Sequence, residues 1–198
     1  ASLTPHPEVS VAQVSDAPPQ QAQARVPFLD VAALHAALDA EILAVNDPGD
    51  TRAIAVRLIG ESNTRVRTQI ADALAHDPTN ARWAVQAYSN LMDAVVGAVF
   101  HVATHHLHPR PNPTEAERIA IVAVGGYGRA EMAPHSDVDL LFLLPWKATG
   151  WIESVIESML YMFWDMHLKV GHATRSVAEN IRLAREDTTI RTALLEHR

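Results

Sequence analysis

Residues 123–145 read AVGGYGRAEMAPHSDVDLLFLLP, with glycines at 125, 126 and 128 and two aspartates, Asp137 and Asp139, opening an apolar run. Alternate residues of a strand share a face, so Asp137 and Asp139 project to one side while Val138 points away. Two carboxylates this close raise one another's pKa and resist ionising together. A divalent cation removes that conflict. Mg²⁺ is hard, oxygen-seeking and commonly held by one or two carboxylates plus substrate phosphates. Gly125 and Gly126 supply the other half: a chain leaving a strand without side chains lets backbone N–H groups approach a phosphate, helped by the start of a following helix. Metal carboxylates beside a phosphate cradle are the equipment of metal-assisted phosphoryl or nucleotidyl transfer.

Neighbouring residues carry two readings each. Ser136 can hydrogen-bond a phosphate or serve as an ordinary turn residue. Arg129 can neutralise triphosphate charge bidentately or stand as a solvated surface cation. The spacing of the glycines does not fit G-x-G-x-x-G, and no lone acidic residue ends a second strand, which argues against a dinucleotide fold. His101 and His105, in HVATHHLH, lie one helical turn apart as zinc ligands can. No acidic or further clustered ligand accompanies this run in sequence, so the expectation is a solvated helix end. Met162, Trp164 and Met166 read as core.

The positioning elements follow from hydrophobic period. Ile119–Val124 and Val138–Leu144 read as strands, the second apolar on both faces and so buried in a sheet. Residues 150–164 read as a helix and His167–Thr174 as a third strand interrupted by Gly171. Ser176 caps a further helix, with Glu179 completing a capping box, and Ile190–Glu196 is helical again. Ahead of the sheet come three helical patterns. The first is capped by Asp30 and stops at Asn46-Asp47-Pro48-Gly49; the second runs from about Asp50 to Asp77-Pro78; the third is capped at Asn80 and runs to Val102. Residues 1–27 hold five prolines and few large apolar groups, which predicts a disordered leader. The expected organisation is a leader over 1–27, a helical section over 28–114 and an α/β core with a mixed sheet over 115–198, truncated at its C-terminal end.

The chain has 198 residues, 48% of them hydrophobic, a formal net charge of −7 and no cysteine. Disulfides and thiolate metal sites are excluded. The acidic balance argues against a nucleic-acid partner. No secretory signal or membrane-spanning stretch is read, so a cytoplasmic, non-membrane protein is expected.

The Gly-Gly pair, ten intervening residues and Asp137-Val138-Asp139 resemble the DNA polymerase β-type nucleotidyltransferase superfamily. The longer words VGGYGRAEMAPHSDVDLLFL (124–143), WDMHLKVGHATRS (164–176) and TALLEHR (192–198) resemble the bacterial PII uridylyltransferase/uridylyl-removing family, over residues 28–198. That resemblance implies a polymerase β-like core and Mg²⁺-dependent transfer of UMP from UTP to a tyrosine of the PII nitrogen-signalling protein. In-line attack on the α-phosphorus would release pyrophosphate, with Asp137 and Asp139 holding two Mg²⁺ ions. It also implies a third carboxylate from a later strand, for which Asp165 is preferred and Glu196 is the other candidate. The family's HD hydrolase and glutamine-sensing ACT domains lie outside these residues, so UMP removal and glutamine control are not expected of this chain. Two alternatives stay open: an adenylyltransferase of the same fold acting on glutamine synthetase or a small molecule, and a nucleotide-binding regulatory module without chemistry.

Overall fold

The structure, a computed structural model, describes residues 28–45, 47–112 and 114–198; the expected leader lies outside them. Three helices come first: α1 (Val31–Ile42), α2 (Pro48–His76) and α3 (Ala81–His101). Asp30 caps α1 by accepting from the Ala33 N–H at 3.0 Å. Asp47 caps α2 through Gly49 and Asp50, with Pro48 in the first turn, where a missing N–H costs nothing. α1 already ends at Ile42, ahead of the Asp-Pro-Gly word, which starts a helix here rather than ending one. Asn80 precedes α3 but makes no side-chain capping bond. The chain turns there through a 3₁₀ segment, Pro78–Asn80, capped by Asp77.

The expected helix end at 101–108 is different in kind. The backbone continues through a π-helical segment, Val102–Leu107; His105 within it is exposed, but His106 and the preceding His101 both contact Asp39 of α1.

Beyond it lie β1 (Ala120–Ala123), the single turn α4 (Gly125–Gly128), β2 (Val138–Leu144), α5 (Gly150–Asp165), β3 (Val170–Ser176), α6 (Val177–Glu186) and α7 (Thr188–Leu195). The sheet is mixed, in the order β1-β2-β3. β2 runs antiparallel to β1, with Ala123 opposite Leu140, and parallel to β3, with Asp139 opposite Gly171. This is the α/β arrangement that the sequence calls for. β2 is buried at Val138, Leu140, Leu141, Phe142 and Leu144, as the central strand must be. The third strand starts later than expected, because the end of α5 takes up the preceding residues. His167 has φ 59°, and the N–H groups of His167 and Leu168 bond back to Trp164 and Phe163.

α5 buries Ile152, Val155, Ile156, Met159, Met162 and Phe163 on one stripe. Those residues join Leu38, Ile59, Leu91, Met92 and Val99 in a hydrophobic core common to the helices and the sheet. Trp164, expected in that core, is 48% exposed instead, on the opposite face of α5 beside Tyr161. Among the described residues, no helix is long and apolar enough to cross a membrane.

Candidate active site

The two aspartates stand at the start of β2, Asp137 exposed and Asp139 half-buried. Two neighbouring positions without a side chain make room for the Asp139 carboxylate. A Cβ on Gly125 would lie 3.1 Å from Asp139 Oδ2, and one on Gly171 would lie 2.5 Å from Oδ1. Gly125 also has φ +61°, a conformation that L side chains rarely adopt. The Val124 N–H donates to the Asp139 carbonyl at 3.1 Å, so pairing of β1 with β2 continues to the residue before the glycine turn. Burial, and then the charge of Asp137, push the Asp139 carboxyl above its ordinary value of 3.8. Two oxygen donors on one face, one of them held at raised energy as an anion, fit a hard cation such as Mg²⁺.

A cavity of about 330 Å³ opens beside this carboxylate, lined by Gly125, Asp139, Gly171, His172 and Arg175, with α7 across it through Thr189 and Ile190. That volume falls in the range of small-molecule sites. Arg175 follows Gly171 at a spacing of four, on the same face of β3, and its guanidinium donates to Asn180 Oδ1 at 3.3 Å. In sequence, Gly171 reads only as an interruption of the strand, and Arg175 carries no reading. The available signal was the period of two, counted from Gly171 to Arg175.

The glycine turn is braced from behind. Tyr127 is buried and donates to Asp93 Oδ1 of α3 at 2.7 Å. Arg198 pairs with the same aspartate and covers the Tyr127 ring at 5.3 Å. Burial, then Asp93, push the Tyr127 hydroxyl well above its ordinary pKa, so it stays a donor. Ala123 and Arg198 exchange backbone hydrogen bonds of 2.8 and 3.0 Å. Gly128 lets that segment pass, since a Cβ there would meet the Glu196 carbonyl at 2.1 Å. The linker to the aspartates is held as well: the Met132 N–H donates to Ser89 Oγ at 3.2 Å, and Arg67 donates to the Pro134 carbonyl.

The remaining candidates are placed as follows. The backbone turn of Gly126 leaves room for a Cβ, with its nearest neighbours at 3.7 and 3.8 Å. Ser136 Oγ accepts from the Ala133 N–H at 2.9 Å within a turn, which leaves its own O–H free to donate. Arg129 is engaged by Glu131 at 2.9 Å and Glu196 at 2.6 Å. Asp165 is the last residue of α5, half exposed, 3.6 Å from Arg52 of α2. Of the candidates read from sequence, Gly125 and Asp139 line the cavity, and Gly126, Arg129, Ser136, Asp137 and Asp165 do not.

A mixed sheet with a Gly-Gly turn after one strand and Asp-x-Asp entering the next defines an α/β domain of the nucleotidyltransferase type. A family model described as glutamate-ammonia ligase adenylyltransferase matches residues 13–160, and the chain belongs to that family. It is 57% identical over 173 residues to a protein of Cereibacter sphaeroides named bifunctional uridylyltransferase/uridylyl-removing enzyme, covering 86% of this chain and 19% of that protein. Proteins of the same name from Ruegeria pomeroyi and a Bradyrhizobium species are 50% identical over 171 residues and 47% over 175. These cover 86% and 87% of this chain, and 19% and 18% of the two relatives. The chain therefore spans about a fifth of the length of these relatives. The resemblance carried by the glycine and aspartate words is borne out.

Proposed function

We propose that this chain carries the nucleotidyl-transfer site of a uridylyltransferase, taking UTP and a tyrosine of a PII-type protein as substrates. The observation that carries the reading is the Asp139 carboxylate, set between two positions that lack a Cβ and facing a cavity of nucleotide-compatible size. Asp137 and Asp139 would hold Mg²⁺, which supplies charge neutralisation at the transferring phosphate. The turn at Gly125 and Gly126 admits the triphosphate to the backbone. Arg175, on the cavity wall, offers a bidentate partner for a phosphate. The tyrosyl hydroxyl gives up its proton to solvent as its oxygen forms a bond to the α-phosphorus, the bond to the β-phosphate bridge breaks, and pyrophosphate leaves with the displaced electron pair. The third carboxylate is assigned to neither Asp165 nor Glu196, because both are tied to arginines away from the cavity lining.

The family model's description keeps one alternative in view, transfer of AMP to glutamine synthetase. The names of the relatives at 47–57% identity favour UMP. Incubating the chain with Mg²⁺ and α-labelled UTP or ATP, with PII or glutamine synthetase as acceptor, separates the two. Label from UTP on PII supports the proposal. Label from ATP on glutamine synthetase supports the alternative, and labelling of neither protein, with no nucleotide bound, contradicts both.

A further inference from the structure

We propose that Asp39, His101 and His106 form a Zn²⁺ site that ties α1 to the end of α3, separate from the candidate active site. Nε2 of His101 and Nε2 of His106 each lie 2.7 Å from the same oxygen, Oδ1 of Asp39. The three donor atoms all stand within 4.8 Å of one another. Two ligands on a tetrahedral zinc, with Zn–N of roughly 2.0–2.1 Å, stand about 3.3 Å apart, so the present contacts need to open by only about 0.6 Å. Two imidazoles and one carboxylate are a donor set that zinc accepts, with a fourth position left for water.

The backbone gives a reason for this convergence. His101 and His106 are five residues apart, a spacing that an α-helix would rotate away from a common face. The π-helical segment Val102–Leu107 begins directly after His101, and its wider i→i+5 turn brings the two rings to one carboxylate. Such segments are rare and appear mostly at functional sites. The His101 ring is further fixed by stacking on His35 at 4.8 Å and on His105 at 4.5 Å. Among the described residues, His35 Nε2 is a buried side-chain nitrogen without a hydrogen-bond partner, so a spare imidazole donor lies against the same cluster. The π-helical segment leads into His108, which reaches Ser158 of α5 at 2.8 Å. The segment that carries His106 therefore also meets α5.

The test is zinc titration of the 198-residue chain after chelator treatment. Asp137→Asn/Asp139→Asn serves as background, so that those carboxylates do not contribute. One equivalent of Zn²⁺ is expected to bind and to raise the melting temperature. Co²⁺ in its place should give the visible absorption of a four-coordinate ion. Asp39→Asn and His106→Gln, checked for folding by circular dichroism, should each weaken binding by at least about tenfold. Histidine ¹⁵N spectra of the unmutated chain provide a readout independent of any substitution, with zinc shifting the Nε2 signals of His101 and His106. No zinc uptake, uptake unchanged in both variants, or uptake that leaves those two signals in place would each overturn the proposal.

Discussion

Asp139 is costly to the apo fold. Its carboxyl is raised, first by burial and then by Asp137, so the folded chain holds that proton more tightly than the unfolded chain does. This group's contribution to stability is therefore fully present below the ordinary aspartate pKa of 3.8 and is lost as pH rises through the raised value. Asp139→Asn removes the charge. At neutral pH it is expected to stabilise the metal-free chain slightly in urea denaturation, while lowering nucleotidyl transfer by about a hundredfold or more. A variant that loses stability and keeps activity would remove Asp139 from the site. The two glycines should separate in the same assays. Gly126→Val is expected to fold and to bind UTP about ten- to a hundredfold more weakly, the value of a lost charge-assisted contact. Gly125→Ala, forced to φ +61° beside Asp139 Oδ2 at 3.1 Å, should cost about 1–2 kcal/mol of stability as well.

At the scale of elements, the glycine turn is held by its attachments rather than by its own four residues. Tyr127→Phe takes away the hydrogen bond to Asp93 and leaves the ring in place. The expected loss is about 1.5–3 kcal/mol in denaturant unfolding, as for other hydrogen bonds to charged acceptors; an unchanged midpoint would show that the α3 contact does not hold the turn. β2 was legible in the sequence to the residue, because a run apolar on both faces and flanked by turn residues has one reading. The start of β3 was not, since His167 and Leu168 look like strand residues until the end of α5 claims their N–H groups. Asp47-Pro48 looked like a stop because such residues serve helix ends as well as capped starts; here α1 ends at Ile42 and they only start α2. The cradle at Asp139 was half legible. Gly125 and Gly126 stand in a recognisable word, whereas the part played by Gly171 depends on the parallel register that sets it opposite Asp139. The histidine cluster was legible only in part: His101 and His105 show a zinc-like spacing, but Asp39 is 62 residues from His101, and the π-helical segment that brings His106 rather than His105 to it leaves no periodic trace over six residues.

For the molecule as a whole, one core runs from α1 through α3 and α5 to the sheet, so the helical section and the sheet are expected to unfold together. Met159, fully buried on α5, gives a probe of this: Met159→Ala should cost about 2–5 kcal/mol. Tryptophan fluorescence and far-ultraviolet circular dichroism should still report a single transition. Two separated transitions would mean that the helices and the sheet are independent. The shared core also bears on function, because α2 and α3 brace the linker that carries Asp137 and Asp139 through Arg67 and Ser89. The central claim is that this braced site binds a nucleoside triphosphate through its two aspartates and a metal. Calorimetric titration of UTP into the chain, with and without Mg²⁺ and repeated on Asp137→Asn and Asp139→Asn, tests it most directly. UTP should bind with Mg²⁺ present, and lose most of its affinity when the metal or either carboxylate is removed. Equal binding in every sample, or none in any, would contradict the claim.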